Sequence, residues 1–266
     1  MLNFRIFMDC SKLHECELCE KIFACEYDKY LHNSWVRKTR VDTIRKVILV
    51  NASKGGLGAT SFSISLASVL ASKNLRTALL ETSFISVLPD YLGHDFTRGL
   101  EIISDGIIPS ESKYGFKYLA PSLFMQKERQ PLFWESEVAI KFIKKMIVNT
   151  NFGELDVLVL DVSSCQTSLI KDIKNFLGEK LSNAVLLVDF KDHDSQQSKY
   201  HEDYLKNLIN KVNVLRSPSK DIKVKDKHIC LPLLESLLCD GCKPFDVIKI
   251  LEPYSAITEE VVKTCL

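Results

Sequence analysis

Short apolar runs separated by stretches of helical period set the pattern of this chain. Lys46–Asn51, Thr77–Glu81, Phe116–Ala120, Asp156–Asp161 and Ala184–Asp189 read as strands, with Ile229–Leu233 a weaker one. Several are nearly continuous, such as Val157-Leu158-Val159-Leu160. A run without polar alternation belongs to a strand covered on both faces, as in parallel sheets. Between the strands, Thr60–Lys73 places Phe62, Leu66, Val69 and Leu70 on one side, and Glu135–Val148 does the same with Val138, Phe142, Ile143 and Met146. Leu169–Leu177 and Ser195–Asn210 are further helical stretches. This alternation predicts a doubly wound, mainly parallel α/β sheet.

The pattern also divides the chain. Residues 1–40 are charged, glycine-free and rich in cysteine, and form an expected metal-binding arm. Residues 41–266 form the expected α/β domain, ending in a charged loop, a stretch with Cys and Pro, and a short tail. A length of 266 residues, 46% hydrophobic and 26% charged, suits one such domain with a small appendage. The net charge of +1 gives no field for non-specific nucleic-acid or membrane binding. No apolar run reaches bilayer length, and the start does not read as a signal peptide. The expectation is a cytoplasmic protein with no nucleic-acid or membrane partner.

Directly after Val47-Ile48-Leu49-Val50 comes Ser53-Lys54-Gly55-Gly56-Leu57-Gly58-Ala59-Thr60-Ser61. Glycines between a strand and a helix let successive backbone N–H groups converge on phosphate oxygens. Lys54, Gly55, Gly56, Leu57, Gly58, Ala59, Thr60 and Ser61 are therefore candidate nucleotide-binding residues. Thr60 stands where a hydroxyl ligates magnesium, and Asp161 ends an apolar strand, which suits a carboxylate near that ion. A standard loop of this kind carries lysine where Ala59 stands.

Cys10, Cys16, Cys19 and Cys25 give the spacing C-x5-C-x2-C-x5-C. The central pair is a chelating corner and the flanking thiols complete a four-thiolate set, which suits zinc or an iron–sulfur cluster. Nine cysteines in a reducing compartment point to metal before disulfides. Cys239 and Cys242 form a second C-x2-C, with Cys230 a further thiol, and fit either a second metal corner or ordinary buried and turn thiols. Cys165 and Cys265 read as structural. His14 reads as a solvated arm residue. His193, His201 and His228 lie among polar neighbours with no nucleophile elbow, so no other hydrolase class is supported.

The loop resembles the deviant P-loop of the MinD-type ATPases, Lys-Gly-Gly-x-Gly-Lys-Thr, and Lys54 matches its leading lysine. Gly153–Asp161 resembles the strand ending Asp-Tyr-Leu-Ile-Ile-Asp in the Mrp branch of that group. Leu231-Pro232-Leu233 and Cys239-Asp240-Gly241 resemble its C-terminal patterns, and Cys16, Cys19 and Cys25 match the end of its four-cysteine motif. The resemblance implies a P-loop NTPase fold and a cytosolic iron–sulfur cluster assembly scaffold. It implies a [4Fe–4S] cluster on the arm thiols, and ATP with Mg in the loop. Lys54 would contact phosphate across a dimer, and Asp161 would support magnesium. Implied partners are a related scaffold subunit, in a homo- or heterodimer, and apo iron–sulfur proteins.

Three positions depart from that pattern. Ala59 lacks the second lysine, Ser83 in Glu81-Thr82-Ser83 stands where the water-positioning aspartate belongs, and Val162-Ser163-Ser164-Cys165 replaces a Thr-Pro-Pro-Gly turn. Losing one charge-stabilising group costs about 10²–10³ in rate. Weak nucleotide binding and very slow hydrolysis are expected. Alternative readings are a MinD- or ParA-like positioning ATPase, which needs a basic tail or surface that the acidic 257–266 segment does not supply, and a zinc-armed pseudo-ATPase adaptor.

Overall fold

A computed structural model of the chain describes residues 40–84, 86–97, 100–103, 106–124, 136–162, 164, 166–189, 195–217 and 257–265. Residues 1–39 of the proposed arm, its four cysteines and the expected strand Ile229–Leu233 lie outside these residues.

The described residues build a seven-stranded sheet in the order β5-β6-β2-β7-β1-β8-β9. The strands are β1 (Ile44–Ala52), β2 (Thr77–Glu81), β5 (Ser110–Glu111), β6 (Lys117–Leu119), β7 (Leu155–Asp161), β8 (Leu181–Asp189) and β9 (Lys211–Ser217). All neighbours pair in parallel except the edge pair β5–β6. A small antiparallel ribbon, β3 (Ile102–Ile103) with β4 (Gly106–Ile107), stands apart. The continuous apolar runs fill the centre: Val47–Val50 of β1 and Val157–Leu160 of β7 are buried. At the opposite end of the β2–β7 pair, Arg76 clamps Asp156 through Nε and Nη2, at 3.0 and 2.9 Å.

The helices are α1 (Ala59–Ser72), the single turn α2 (Leu88–Tyr91), α3 (Ser136–Asn149), α4 (Thr167–Leu177) and α5 (Gln196–Leu208). Residues 257–265 form a further helix, α6. On α1, Phe62, Leu66 and Leu70 are buried as their spacing predicts, but so are Ser61, Ser63, Ser65 and Ser68. The reason is a cover on its second side: α6 buries Thr258, Val261 and Val262, and Thr258 Oγ1 meets Ser65 Oγ at 3.0 Å. Lys46 Nζ donates to the Cys265 carbonyl at 2.7 Å, satisfying an acceptor left open at the helix end. Cys265 is buried there.

β9 is a strand the sequence pattern did not predict. It lies at the sheet edge, where Val212 and Val214 are only half-buried, so its apolar signal is diluted by Lys211 and Asn213.

Candidate nucleotide-phosphate site

The order of the strands decides where chemistry gathers. β7 lies between β1 and β2, so Val50, Asp161 and Glu81 stand side by side across three strands. The loop after β1 emerges from the same carboxyl ends. In open parallel sheets this is where ligands bind.

Ser53 opens the loop, its N–H donating to the Leu187 carbonyl of β8 at 2.9 Å. Gly56 and Gly58 have φ of 79° and 84°, a left-handed conformation that L side chains adopt only under strain. Gly58 is the N-cap of α1, and no side chain caps that helix end. Its first turn therefore keeps backbone N–H groups available to an anion. Lys54, Gly55 and Gly56 are exposed, Leu57 is buried, and Gly58, Ala59 and Thr60 are half-buried. The Ala59 methyl stands at the first position of the helix, so the site lacks a lysine there.

Asp161 closes β7 and is 4% exposed. Thr60 hydrogen-bonds to its carboxylate. Among the described residues, the Asp161 Oδ2 atom is buried with no hydrogen-bond partner. An orphaned carboxylate oxygen beside a threonine hydroxyl is a fitting donor set for a hard divalent cation, which takes oxygen ligands and keeps several waters. Among the described residues no group of three or more His, Cys, Asp or Glu is placed to hold a metal by itself. A magnesium ion here would rely on Thr60, Asp161, water and phosphate.

Glu81 was singled out by sequence only as part of a departure from a pattern. In the fold it is 2% exposed and faces Asp161. Burial raises its pKa, the Asp161 charge raises it further, and hydrogen bonds from Ser86 and the Val87 and Leu88 amides pull against both. Burial also raises the pKa of Asp161, opposed by the Thr60 hydrogen bond. Burial of both groups, with the Asp161 charge acting on Glu81, therefore raises the proton affinity of the pair, and a bound cation would lower it.

Lys54 forms an ion pair with Asp189, the last residue of β8. Behind the loop, Asn51 Nδ2 donates to the Val162 carbonyl at 2.9 Å. The Asn51 Oδ1 atom accepts from His201 Nε2 at 2.6 Å, an assignment fixed by the amide's other bond. His201 is buried, and desolvation lowers its pKa, so it is held neutral. This corrects the expectation of polar surroundings. Ser198, His201 and Leu205 share the buried face of α5, a spacing the sequence carried.

Other candidates fall elsewhere. Cys10, Cys16, Cys19, Cys25, Cys165, Cys230, Cys239 and Cys242 lie outside the described residues, as do His14, His193 and His228. No described helix is long and apolar enough to cross a membrane.

A parallel sheet with a glycine loop between β1 and α1 and a buried strand-end aspartate defines a P-loop nucleotide-binding class of domain. The chain belongs to the family described as NUBPL iron-transfer P-loop NTPase, within the ParA group, whose family model matches residues 43–175, half of the chain. It is 30% identical over 133 residues to the iron-sulfur cluster transfer protein NUBPL of Dictyostelium discoideum, a match covering 48% of this chain and 39% of that protein. It is 28% identical over 154 residues to an Arabidopsis thaliana protein named iron-sulfur protein required for NADH dehydrogenase, mitochondrial, covering 56% of this chain and 46% of that one. The chain thus spans less than half the length of either relative. In fold it is similar to a nucleotide-binding protein from Archaeoglobus fulgidus, solved in complex with ADP, with a TM-score of 0.54 and 17% identity over 69% of this chain and 70% of that one.

Proposed function

We propose that this chain is an iron–sulfur cluster carrier whose nucleotide domain has lost most of its hydrolytic chemistry. The observation that supports this best is the family match over the very segment, residues 43–175, that holds the loop and Asp161. The cargo is a [4Fe–4S] cluster, held by Cys10, Cys16, Cys19 and Cys25 of the arm formed by residues 1–40 and delivered to apo iron–sulfur proteins. The domain of residues 41–266 pairs with a second scaffold subunit, identical or related. The compartment in this reading is the cytoplasm, on the strength of the chain's abundant thiols, although one relative's name places that protein in mitochondria.

Nucleotide sits on the backbone of Gly55, Gly56, Leu57, Gly58, Ala59, Thr60 and Ser61, with Lys54 contacting the phosphate held by the partner subunit. Thr60 and Asp161 would hold magnesium, which would supply neutralisation of phosphate charge. Ala59 leaves one phosphate charge unneutralised, and Ser83 offers no carboxylate to orient water. Nucleotide occupancy therefore gates contacts more than it drives turnover.

Anaerobic reconstitution followed by incubation with an apo [4Fe–4S] dehydratase tests the reading. Recovery of dehydratase activity in proportion to the cluster supplied is the expected result. Recovery no better than with free iron and sulfide refutes it.

A further inference from the structure

We propose that Asn51 and Thr82 are positioning residues for the magnesium seat: from the two strands beside β7 they hold the main chain at Asp161 and Val162, and His201 sets the orientation of Asn51. This rests on the reading of Thr60 and Asp161 as that seat.

The chain leaves the sheet at Val162, and both neighbouring strands reach over it. On the β2 side, Thr82 follows Glu81, the register partner of Asp161. Its N–H donates to the Asp161 carbonyl at 2.9 Å, and its hydroxyl donates to the same oxygen at 3.1 Å. On the β1 side, the Val162 N–H donates to the Val50 carbonyl at 2.9 Å, and Asn51 Nδ2 donates to the Val162 carbonyl at 2.9 Å. The bond from His201 Nε2 to Asn51 Oδ1 leaves the amide one orientation, with its N–H toward Val162. Asn51 and Thr82 are both fully buried. Polar atoms in such places cost desolvation unless they are bonded, and an apolar side chain of the same size would fill the space without that cost.

The sequence explains why hydrogen bonds are needed here. The turn Val162-Ser163-Ser164-Cys165 has no proline, whereas the Thr-Pro-Pro-Gly pattern it replaces has two. Proline fixes its own φ and restricts the residue before it, so a turn without proline has more conformations to lose. Asn51 and Thr82 supply the restraint from outside the turn. Magnesium accepts little departure from octahedral geometry, so a carboxylate whose main chain drifts holds it less well.

The test is the effect of magnesium on ADP affinity, measured on the full chain by calorimetric titration with magnesium present and with it chelated. The ratio of the two affinities is compared among the wild type, Asn51→Leu, Thr82→Val, Thr82→Ser and Asp161→Asn. General destabilisation lowers both affinities by the same factor and leaves the ratio untouched. Asn51→Leu and Thr82→Val are expected to lower the ratio by about 3- to 10-fold, the range one lost hydrogen bond supports, and Thr82→Ser is expected to keep it. Thr82→Val, the milder change, carries the test if Asn51→Leu does not fold. Without nucleotide, hydrogen exchange of the Asp161 and Val162 amides should quicken in both variants. A wild-type ratio in either variant, or unchanged exchange, overturns the proposal and leaves the seat standing. A wild type that binds no ADP, or whose ratio equals that of Asp161→Asn, overturns the reading of the seat and this proposal with it. Cluster transfer to the apo dehydratase judges the carrier reading separately.

Discussion

Glu81 and Asp161 face each other at the carboxyl ends of β2 and β7, two buried carboxylates on adjacent strands with one oxygen, Asp161 Oδ2, left without a hydrogen-bond partner among the described residues. Both pKa values are raised, chiefly by burial. The folded state holds protons that the unfolded chain releases above about pH 4. Stability is thus full at acidic pH and falls as pH rises through the raised values, which reach about 6 for Asp161 and about 8 for Glu81. Thermal unfolding of the nucleotide-free protein between pH 5 and about 8.5 should show a declining midpoint, with a loss on the order of a few kcal/mol. Glu81→Gln should flatten the decline. A midpoint that rises over this range contradicts the pairing.

The left-handed loop glycines make a second prediction. Gly58 has φ of 84°. Gly58→Ala should cost about 1–2 kcal/mol in urea unfolding and weaken nucleotide binding, because the loop must abandon the conformation that aims its N–H groups. An alanine variant with unchanged stability and affinity would show that the loop does not depend on this geometry.

The missing lysine allows a gain-of-function experiment. Ala59→Lys restores a charge-assisted contact to phosphate and should tighten Mg·nucleotide binding by about 10-fold or more. Turnover should stay low until Ser83→Asp is added, and then rise by about 10²-fold. Calorimetric titration and phosphate release measure the two effects. Rapid hydrolysis by the unmodified chain would contradict the account of a degenerate site.

His201 supports the site from behind. His201→Leu leaves the Asn51 Oδ1 atom buried without this donor and should cost about 1–3 kcal/mol in chemical unfolding. His201→Gln, which can place an amide N–H near the same point, should recover part of the loss. Equal loss in both variants would assign the effect to packing alone.

Particular residues mark what was legible in the sequence. The runs Val47–Val50 and Val157–Leu160 announced two central parallel strands, because side chains covered on both faces leave no polar alternation. Gly56 and Gly58 announced the loop, because few other residues accept its backbone angles. β9 stayed hidden, since an edge strand with half-buried valines resembles a loop. Glu81 and Asp189 stayed hidden for another reason. Each carboxylate ends a strand, and only the order of strands sets one beside Asp161 and the other beside Lys54. That order depends on pairings between residues far apart in the chain. His201 was within reach, because its spacing from Leu205 places both on one helical face.

Iron and acid-labile sulfide, quantified with zinc on anaerobically purified wild type and on a Cys16→Ala/Cys19→Ala variant, test the central claim most directly. The account predicts about four irons and four sulfides for each occupied four-thiolate site, with little zinc, and loss of both in the variant. Colourless protein free of iron, or bearing zinc alone, with Cys10, Cys16, Cys19 and Cys25 open to alkylation, would contradict it.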